Sequence, residues 1–302
     1  MHSEREILLA RDLPGETLSR ARRAGAVRTV RRGAYLAAEH AEPTVADRAR
    51  ALVLQLGPDA VLSHETAAVL LGCRTWRTPR VTHVVRGYRR SGHASRDVAW
   101  HFGSVPADQR TSVAGLTITS PERTVLDCAL DLHPLAALVI ADSALRLPDP
   151  LDLEVARRML AESPRRNGRV RARWVLDHAD AGADSPWETW ARYVCLRAGM
   201  PRPRTQAPVV TAERTYHCDL GWREHGVYLE FDGRSKYATS GQEELWREKL
   251  RFDAIRATGI NPVRVTATGP GGVARVVARV SARFPDVVAA GFRVNRNLPL
   301  PD

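Results

Sequence analysis

His217-Cys218-Asp219-Leu220-Gly221-Trp222-Arg223-Glu224-His225-Gly226-Val227-Tyr228-Leu229-Glu230-Phe231-Asp232 decides the reading of the C-terminal part of the chain. If Arg223-Glu224-His225-Gly226 is a hairpin loop, Trp222 faces Val227, and counting back pairs Asp219 with Glu230. Side chains alternate along a strand. One face then holds Cys218, Leu220, Trp222, Val227, Leu229 and Phe231, and the other His217, Asp219, Tyr228, Glu230 and Asp232. A one-residue slip would turn the apolar set into water, so the register is well specified. The second face gathers three carboxylates, and like charges set directly opposite one another are destabilising. A hard divalent cation relieves that repulsion, Mg²⁺ (or Mn²⁺) being usual with carboxylate and phosphate oxygens. Such an ion can polarise a phosphate and lower the pKa of an attacking water. Surface acids with arginine neighbours are the plainer reading of the same residues.

Outward from the hairpin, the pattern predicts a helix over 185–198 closed by Gly199, strands over 206–210, 216–222 and 227–232, a helix over 242–257 closed by Gly259, a strand over 263–266 and a last helix over 273–284. This α-β-β-β-α-β order is that of the PD-(D/E)XK nuclease core. Ser185-Pro186-Trp187-Glu188 is a capping box, in which Glu188 reaches back to the helix start. Asp180-Ala181-Gly182-Ala183-Asp184 reads as a linker before this part.

Ser185-Pro186-Trp187-Glu188, Ala198-Gly199-Met200-Pro201-Arg202-Pro203, Cys218-Asp219-Leu220, Leu229-Glu230-Phe231-Asp232-Gly233-Arg234-Ser235-Lys236-Tyr237 and Glu248-Lys249-Leu250-Arg251 together resemble an uncharacterised domain family related to the very-short-patch-repair endonuclease. The resemblance implies an α/β restriction-endonuclease-like domain with Asp219 as first acid, Glu230 as second and Glu188 as the acid of the first helix. It departs at one point: where that superfamily has a lysine two residues after the second acid, this chain has Asp232. Lys236, four residues on, is then the residue to take the lysine's part.

The N-terminal half reads as α+β. Ile7-Leu8-Leu9 suggests a short helix that Pro14-Gly15 breaks, a second helix runs from Leu18 to Gly25, and two short strands flank Arg31-Arg32-Gly33. Arg20, Arg22, Arg23, Arg28, Arg31 and Arg32 crowd this unit, as in a winged helix whose helix enters a groove while the wing touches phosphate. Two helices follow within 44–72, then strands at 81–85, 98–102 and 116–118, one helical stretch from Glu122 to about Ala144, and two more helices. Ser63-His64-Glu65 tempts one towards catalysis, but adjacent residues of a helix point apart, so a helix cap is the better reading. The basic helix-turn-helix ending in Arg32-Gly33-Ala34-Tyr35-Leu36, the run Val61-Leu62-Ser63-His64-Glu65-Thr66-Ala67-Ala68, and Leu116-Thr117-Ile118-Thr119-Ser120-Pro121-Glu122-Arg123-Thr124-Val125-Leu126-Asp127 resemble, in this order, the AbiEi-type antitoxin family. That resemblance implies an N-terminal winged helix that binds DNA, and a toxin-like protein partner.

Composition agrees with a polyanion-binding protein. The 302 residues carry a net charge of +11, and only Lys236 and Lys249 of the 45 cations are lysine. No apolar run approaches the ~18 residues of a membrane span. The N-terminus lacks a signal peptide's apolar core. Cys73, Cys128, Cys195 and Cys218 are far apart, which argues against zinc-binding or disulfide frameworks and fits a cytoplasmic location. The domains expected are 1–45, a winged helix; 46–179, an AbiEi-like α+β and helical region; and 184–285, a PD-(D/E)XK nuclease-like domain. The function expected is DNA binding with Mg²⁺-dependent phosphodiester hydrolysis; the alternative is an antitoxin or transcriptional regulator whose nuclease-like domain is inactive.

Overall fold

The computed structural model describes residues 5–87, 95–232, 242–266 and 272–301. Helices and strands are mixed throughout, an α+β architecture. Two compact units divide the chain, Met1–Leu132 with Arg146–Leu176, and His133–Leu145 with Asp177–Asp302. Among the described residues, no helix is long and apolar enough to cross a membrane.

The first unit begins with strand β1 (Leu8–Leu9), helix α1 (Gly15–Arg23) and strands β2 (Val27–Arg31) and β3 (Ala34–Ala37), in the sheet order β1-β3-β2. Gly33, at φ +77°, makes the tight turn of the β2–β3 hairpin, a conformation only glycine adopts without cost. The short helix expected at Ile7-Leu8-Leu9 is instead a strand, Leu8 pairing with Tyr35 and Leu9 with Ala34. Three apolar residues are too few to show a period. Pairing with β3 satisfies their backbone and buries Leu9 with Val30, Ala34, Leu36 and Ala51.

Helix α2 (Val45–Leu56) starts at a Thr44–Asp47 capping box. A five-stranded sheet follows, built from β4 (Val61–Leu62), β5 (Thr82–Arg86), β6 (Val98–Phe102), β7 (Arg110–Val113) and β8 (Leu116–Thr119) in the order β6-β5-β4-β8-β7. Leu52, Leu62, Ala67, Val84 and Ile118 centre its core. Between β4 and β5 lies α3 (His64–Leu70); α4 (Pro121–Asp131) follows β8, with Ser120 capping the Arg123 N–H. The single helical stretch expected over 122–144 is two helices, because Pro134 opens a new one, α5 (Pro134–Ala144). Proline lacks the N–H that would continue α4, and His133 before it takes the extended conformation that proline imposes. Helices α6 (Leu153–Glu162) and α7 (Arg169–His178) come next.

The second unit takes α5 and adds α8 (Pro186–Arg197), β9 (Arg204–Val210), β10 (Thr215–Trp222), β11 (Val227–Phe231), α9 (Gln242–Ala257), β12 (Val263–Val265), α10 (Gly272–Ser281) and the short α11 (Asp286–Ala289). Its sheet runs β12-β11-β10-β9, with β12 parallel to β11 and the other pairs antiparallel. Helix α5 belongs here because Asp142 forms a fully enclosed ion pair with Arg192 of α8, at 2.5 Å, and takes the Thr189 hydroxyl at 2.8 Å. Residues 180–184, which read as a linker, are tied into this unit. The Asp180 N–H donates to Asp142, and the Asp180 carboxylate accepts from Thr205 and from the Gly182 N–H. A Cβ on Gly182 would lie 2.1 Å from Thr205 Oγ1, so the chain approaches β9 too closely for a larger residue.

Candidate functional site

The β10–β11 hairpin has the register counted from sequence, with Trp222 opposite Val227, Gly221 opposite Tyr228 and Leu220 opposite Leu229. At the next rung the ladder changes character. Asp219 Oδ2 accepts the Phe231 N–H at 2.6 Å, taking the bond that a facing carbonyl would make. Across from Asp219 on β9, Gln206 sits at φ +44°, in the left-handed region, which costs a non-glycine residue about 1 kcal/mol or more. The strict alternation expected from sequence breaks here. Cys218 pairs with Ala207, packs with Tyr228 and Ile255, and hydrogen-bonds the Glu230 carboxylate. A Cβ on Gly221 would meet Ala207 and Tyr228, which places Gly221 and Cys218, three residues apart, on one side. Cys218 is therefore not with Leu220 and Trp222 on the reverse face; the irregular Gln206–Asp219 rung turns it over.

Three carboxylates meet around Asp219. Burial, and then the Asp219 charge, push the Glu188 carboxyl up to about 7, against hydrogen bonds from the Asp184 N–H and the Ser185 hydroxyl. The same two causes raise Glu230, against the Arg251 guanidinium and the Cys218 thiol. Arg251, on α9, holds Glu230 at 2.5 Å and donates to the His217 carbonyl at 2.8 Å. The Ser185 hydroxyl caps the Glu188 N–H, but the Glu188 carboxylate reaches past the Ser185 N–H, which a capping box would use, to the Asp184 N–H and the Ser185 hydroxyl, and it feels the Asp219 charge. Asp232 is half-buried and its N–H continues the sheet to Val265. Lys236 lies outside the described residues. As a donor set, hard carboxylate oxygens suit Mg²⁺ or Mn²⁺. Their arrangement is another matter. Among the described residues these carboxylates do not bring their oxygens within 4.8 Å of one another as a group of three, and Arg251 already neutralises Glu230.

Six arginines of the N-terminal unit divide into two sets. Arg20, Arg22, Arg23 and Arg32 are exposed, Arg22 lying over the Tyr35 ring. Arg28 and Arg31 are engaged within the unit. Arg28 pairs with Glu42, and Arg31 pairs with Asp97 at 2.9 Å and also bonds Gln55.

The first unit also assembles a cluster that spacing does not announce. Ser63 stands at the start of α3 but makes no capping bond. Its hydroxyl lies 2.9 Å from His64 Nδ1, and His64 Nε2 lies 3.0 Å from Asp131 Oδ2. His64 itself has φ +51°, the bend that turns its ring back. Ser63 is fully buried, so this chain of bonds cannot present a nucleophile to a substrate. The His64, His83 and His101 rings stack, with centroids 3.7 to 5.3 Å apart. Burial first, then the neighbouring His64, hold His83 down at about 4 and His101 at about 3. Burial pushes the Asp131 carboxyl up, but hydrogen bonds from His64 and Arg165 more than offset it, and the net shift is downward. The one signal in the sequence is that a histidine stands on, or just past the end of, each of three consecutive strands.

Comparison with known proteins places residues 59–178, which hold this cluster, as a match to the AbiEi antitoxin C-terminal domain. Two proteins of Mycobacterium tuberculosis strains, uncharacterized protein MT2308 and uncharacterized protein Rv2248, are each 29% identical over 244 residues, covering 80% of this chain and 86% of theirs.

Proposed function

We propose that this chain is an AbiEi-type DNA-binding regulator, with a toxin-like protein as its partner and a nuclease-like second unit that serves binding. The observation that carries this reading is the match of residues 59–178 to the AbiEi antitoxin C-terminal domain. A small unit of one helix and three strands, with exposed Arg20, Arg22, Arg23 and Arg32, precedes that match. Arginines on a helix and hairpin tip supply phosphate contacts, which make affinity fall steeply with salt. The test is fluorescence anisotropy of labelled duplex DNA across a salt series, with the full chain and with an Arg20→Ala, Arg23→Ala, Arg32→Ala variant. Each lost phosphate contact lowers the log–log salt slope by about 0.9, so the variant's slope should fall by roughly 2 to 3. An unchanged slope refutes the role of this unit.

A second reading rests on the Asp219-centred carboxylates. Under it Asp219 and Glu230, with Glu188, hold Mg²⁺ or Mn²⁺ when Arg251 releases Glu230. The ion would supply a polarised phosphate and an activated water. Plasmid and single-stranded DNA incubated with Mg²⁺, and in parallel with chelator, decide between the two readings: metal-dependent cleavage lost in Asp219→Asn establishes the nuclease, and intact DNA leaves the regulator.

A further inference from the structure

The five-stranded sheet converts three histidines distant in sequence into neighbours. Strand β4 lies beside β5, and the Ser63 N–H donates to the His83 carbonyl at 3.1 Å, which brings His64 to His83. Strand β6 pairs with β5 in parallel, Val85 opposite His101, and His83 two residues earlier is on the same face as Val85, diagonal to His101. The outcome is three imidazoles that each bring one ring nitrogen within 4.8 Å of the other two. We propose that His64, His83 and His101 bind one transition-metal ion, with Zn²⁺ as the expected occupant.

Geometry and donor type support this independently. Zn²⁺ takes imidazole nitrogens at 2.0–2.1 Å, so adjacent ligands of a tetrahedral centre lie roughly 3.3 Å apart. His83 Nδ1 and His101 Nε2 are 3.0 Å apart, already near that spacing. Two neutral imidazoles at this distance share a single proton; a metal ion satisfies both lone pairs. His64 is stacked on His101, with ring centroids 3.7 Å apart, and must turn about its side-chain torsions to aim a nitrogen at the same point. Imidazole selects Zn²⁺ and its neighbours over Mg²⁺ or Ca²⁺, which require oxygen.

The surroundings are those of oriented ligands. His83 Nε2 faces Glu65 Oε2 at 3.8 Å, and both ring nitrogens of His64 are engaged, Nδ1 with the Ser63 hydroxyl and Nε2 with Asp131, which Arg165 clamps; His64 therefore ligates through Nδ1 when the Ser63 hydroxyl turns away, with Asp131 kept behind the ring. Carboxylates behind ligating histidines fix the ring and raise its basicity. His64 and His101 line a cleft of about 920 Å³ together with Trp100, Arg123, Asp131 and Arg165. Three protein ligands leave a fourth position to water from that cleft, the arrangement of an open site rather than a closed structural one.

The experiment uses the full chain, stripped with chelator, equilibrated with Zn²⁺ and desalted. Elemental analysis should find one Zn²⁺ per chain, and calorimetry should show affinity reduced about 10-fold or more in His83→Gln and in His101→Gln, while Asp219→Asn retains it. Loss of Zn²⁺ in Asp219→Asn with retention in the histidine variants would assign the ion to the carboxylates and overturn the proposal. So would the absence of retained Zn²⁺ in the unaltered chain. If the histidine variants unfold, ring-nitrogen NMR of the unaltered protein takes their place. Zn²⁺ must then shift the His64, His83 and His101 ring nitrogens together, and shifts confined to other histidines refute the site.

Discussion

The histidine cluster of the first unit and the carboxylate cluster of the second each crowd three like groups into a partly buried place, and they relieve the crowding by different chemistry. An imidazole has a neutral form with one donor and one acceptor, so burial, aided by the neighbouring His64, makes His83 and His101 compatible neighbours joined by a hydrogen bond. A carboxylate has no such form without taking a proton outright. Asp219 stays against the Phe231 N–H, Glu230 takes Arg251, and Glu188 is raised to about 7. The acidic cluster thus already contains its cation, the Arg251 guanidinium. To take an ion, the histidine cluster must give up hydrogen bonds, those of His64 to Ser63 and of His83 to His101, whereas the acidic cluster must surrender an ion pair.

Acidification should separate the two regions most strongly. His83 and His101 have folded pKa values near 4 and 3, below an unfolded value of about 6.5. Between those limits the unfolded chain binds more protons, so this contribution is full above pH 6.5 and is lost as pH falls towards 4 and 3. At pH 5 the loss is at most ~2 kcal/mol per histidine, and less for the more accessible His101. Glu188 has the opposite sign. Its folded pKa of about 7 lies above the ordinary 4.5, so the folded state binds the extra proton and the second unit gains stability as pH falls from 8 towards 5. Segment-resolved hydrogen exchange at pH 5 and pH 8, corrected for intrinsic rates, checks this. Protection of β5 and β6 should fall on acidification while that of β10 and β11 rises, and parallel changes would break the comparison.

Glu188→Gln isolates the acidic side of this contrast. An amide keeps contacts to the Asp184 N–H and Ser185 but carries no charge towards Asp219. Stability at pH 8 should rise by on the order of 1–2 kcal/mol, with little change at pH 5. Denaturant titrations of both proteins at the two pH values give the answer; equal destabilisation at both would mean that Glu188 acts only as a cap.

Local pattern carried far more of the second region than of the first. The hairpin register from Trp222–Val227 to Leu220–Leu229 follows from loop length and alternation, and Leu220, Trp222, Val227 and Leu229 are buried as their spacing requires. Alternation fails at Cys218 because the cause, Gln206 at positive φ, sits on another strand. The histidine cluster was illegible for the same reason at larger scale. Residues 64, 83 and 101 meet only through the order β6-β5-β4, and β4, two residues long, has no periodicity to read. Ser63 occupies the cap position that the sequence indicates, yet its hydroxyl turns to His64 because His64 adopts φ +51°. The division of α4 from α5 is marked in the sequence by Pro134, after Asp131 and His133.

The smallest effect sharpens the comparison furthest. Asp219 raises both Glu188 and Glu230, so Asp219→Asn should lower both pKa values towards the ordinary carboxylate range, which carboxyl-carbon NMR titration of the two residues reads directly. The amide oxygen can still accept the Phe231 N–H, so the hairpin should keep its register. Removing a like charge stabilises by only a few tenths of a kcal/mol to ~1 kcal/mol, and stability in the absence of metal should be unchanged or slightly higher. The thermal response to Mg²⁺ or Mn²⁺ gives the variant its value. If the unaltered chain shows a metal-dependent shift that Asp219→Asn loses, the carboxylates bind the ion despite Arg251. If neither protein responds, the Arg251–Glu230 pair is the cluster's resting partner, and the second unit acts by binding. Should Glu188 keep its raised pKa in Asp219→Asn, burial alone accounts for it, and the three carboxylates do not form one electrostatic unit.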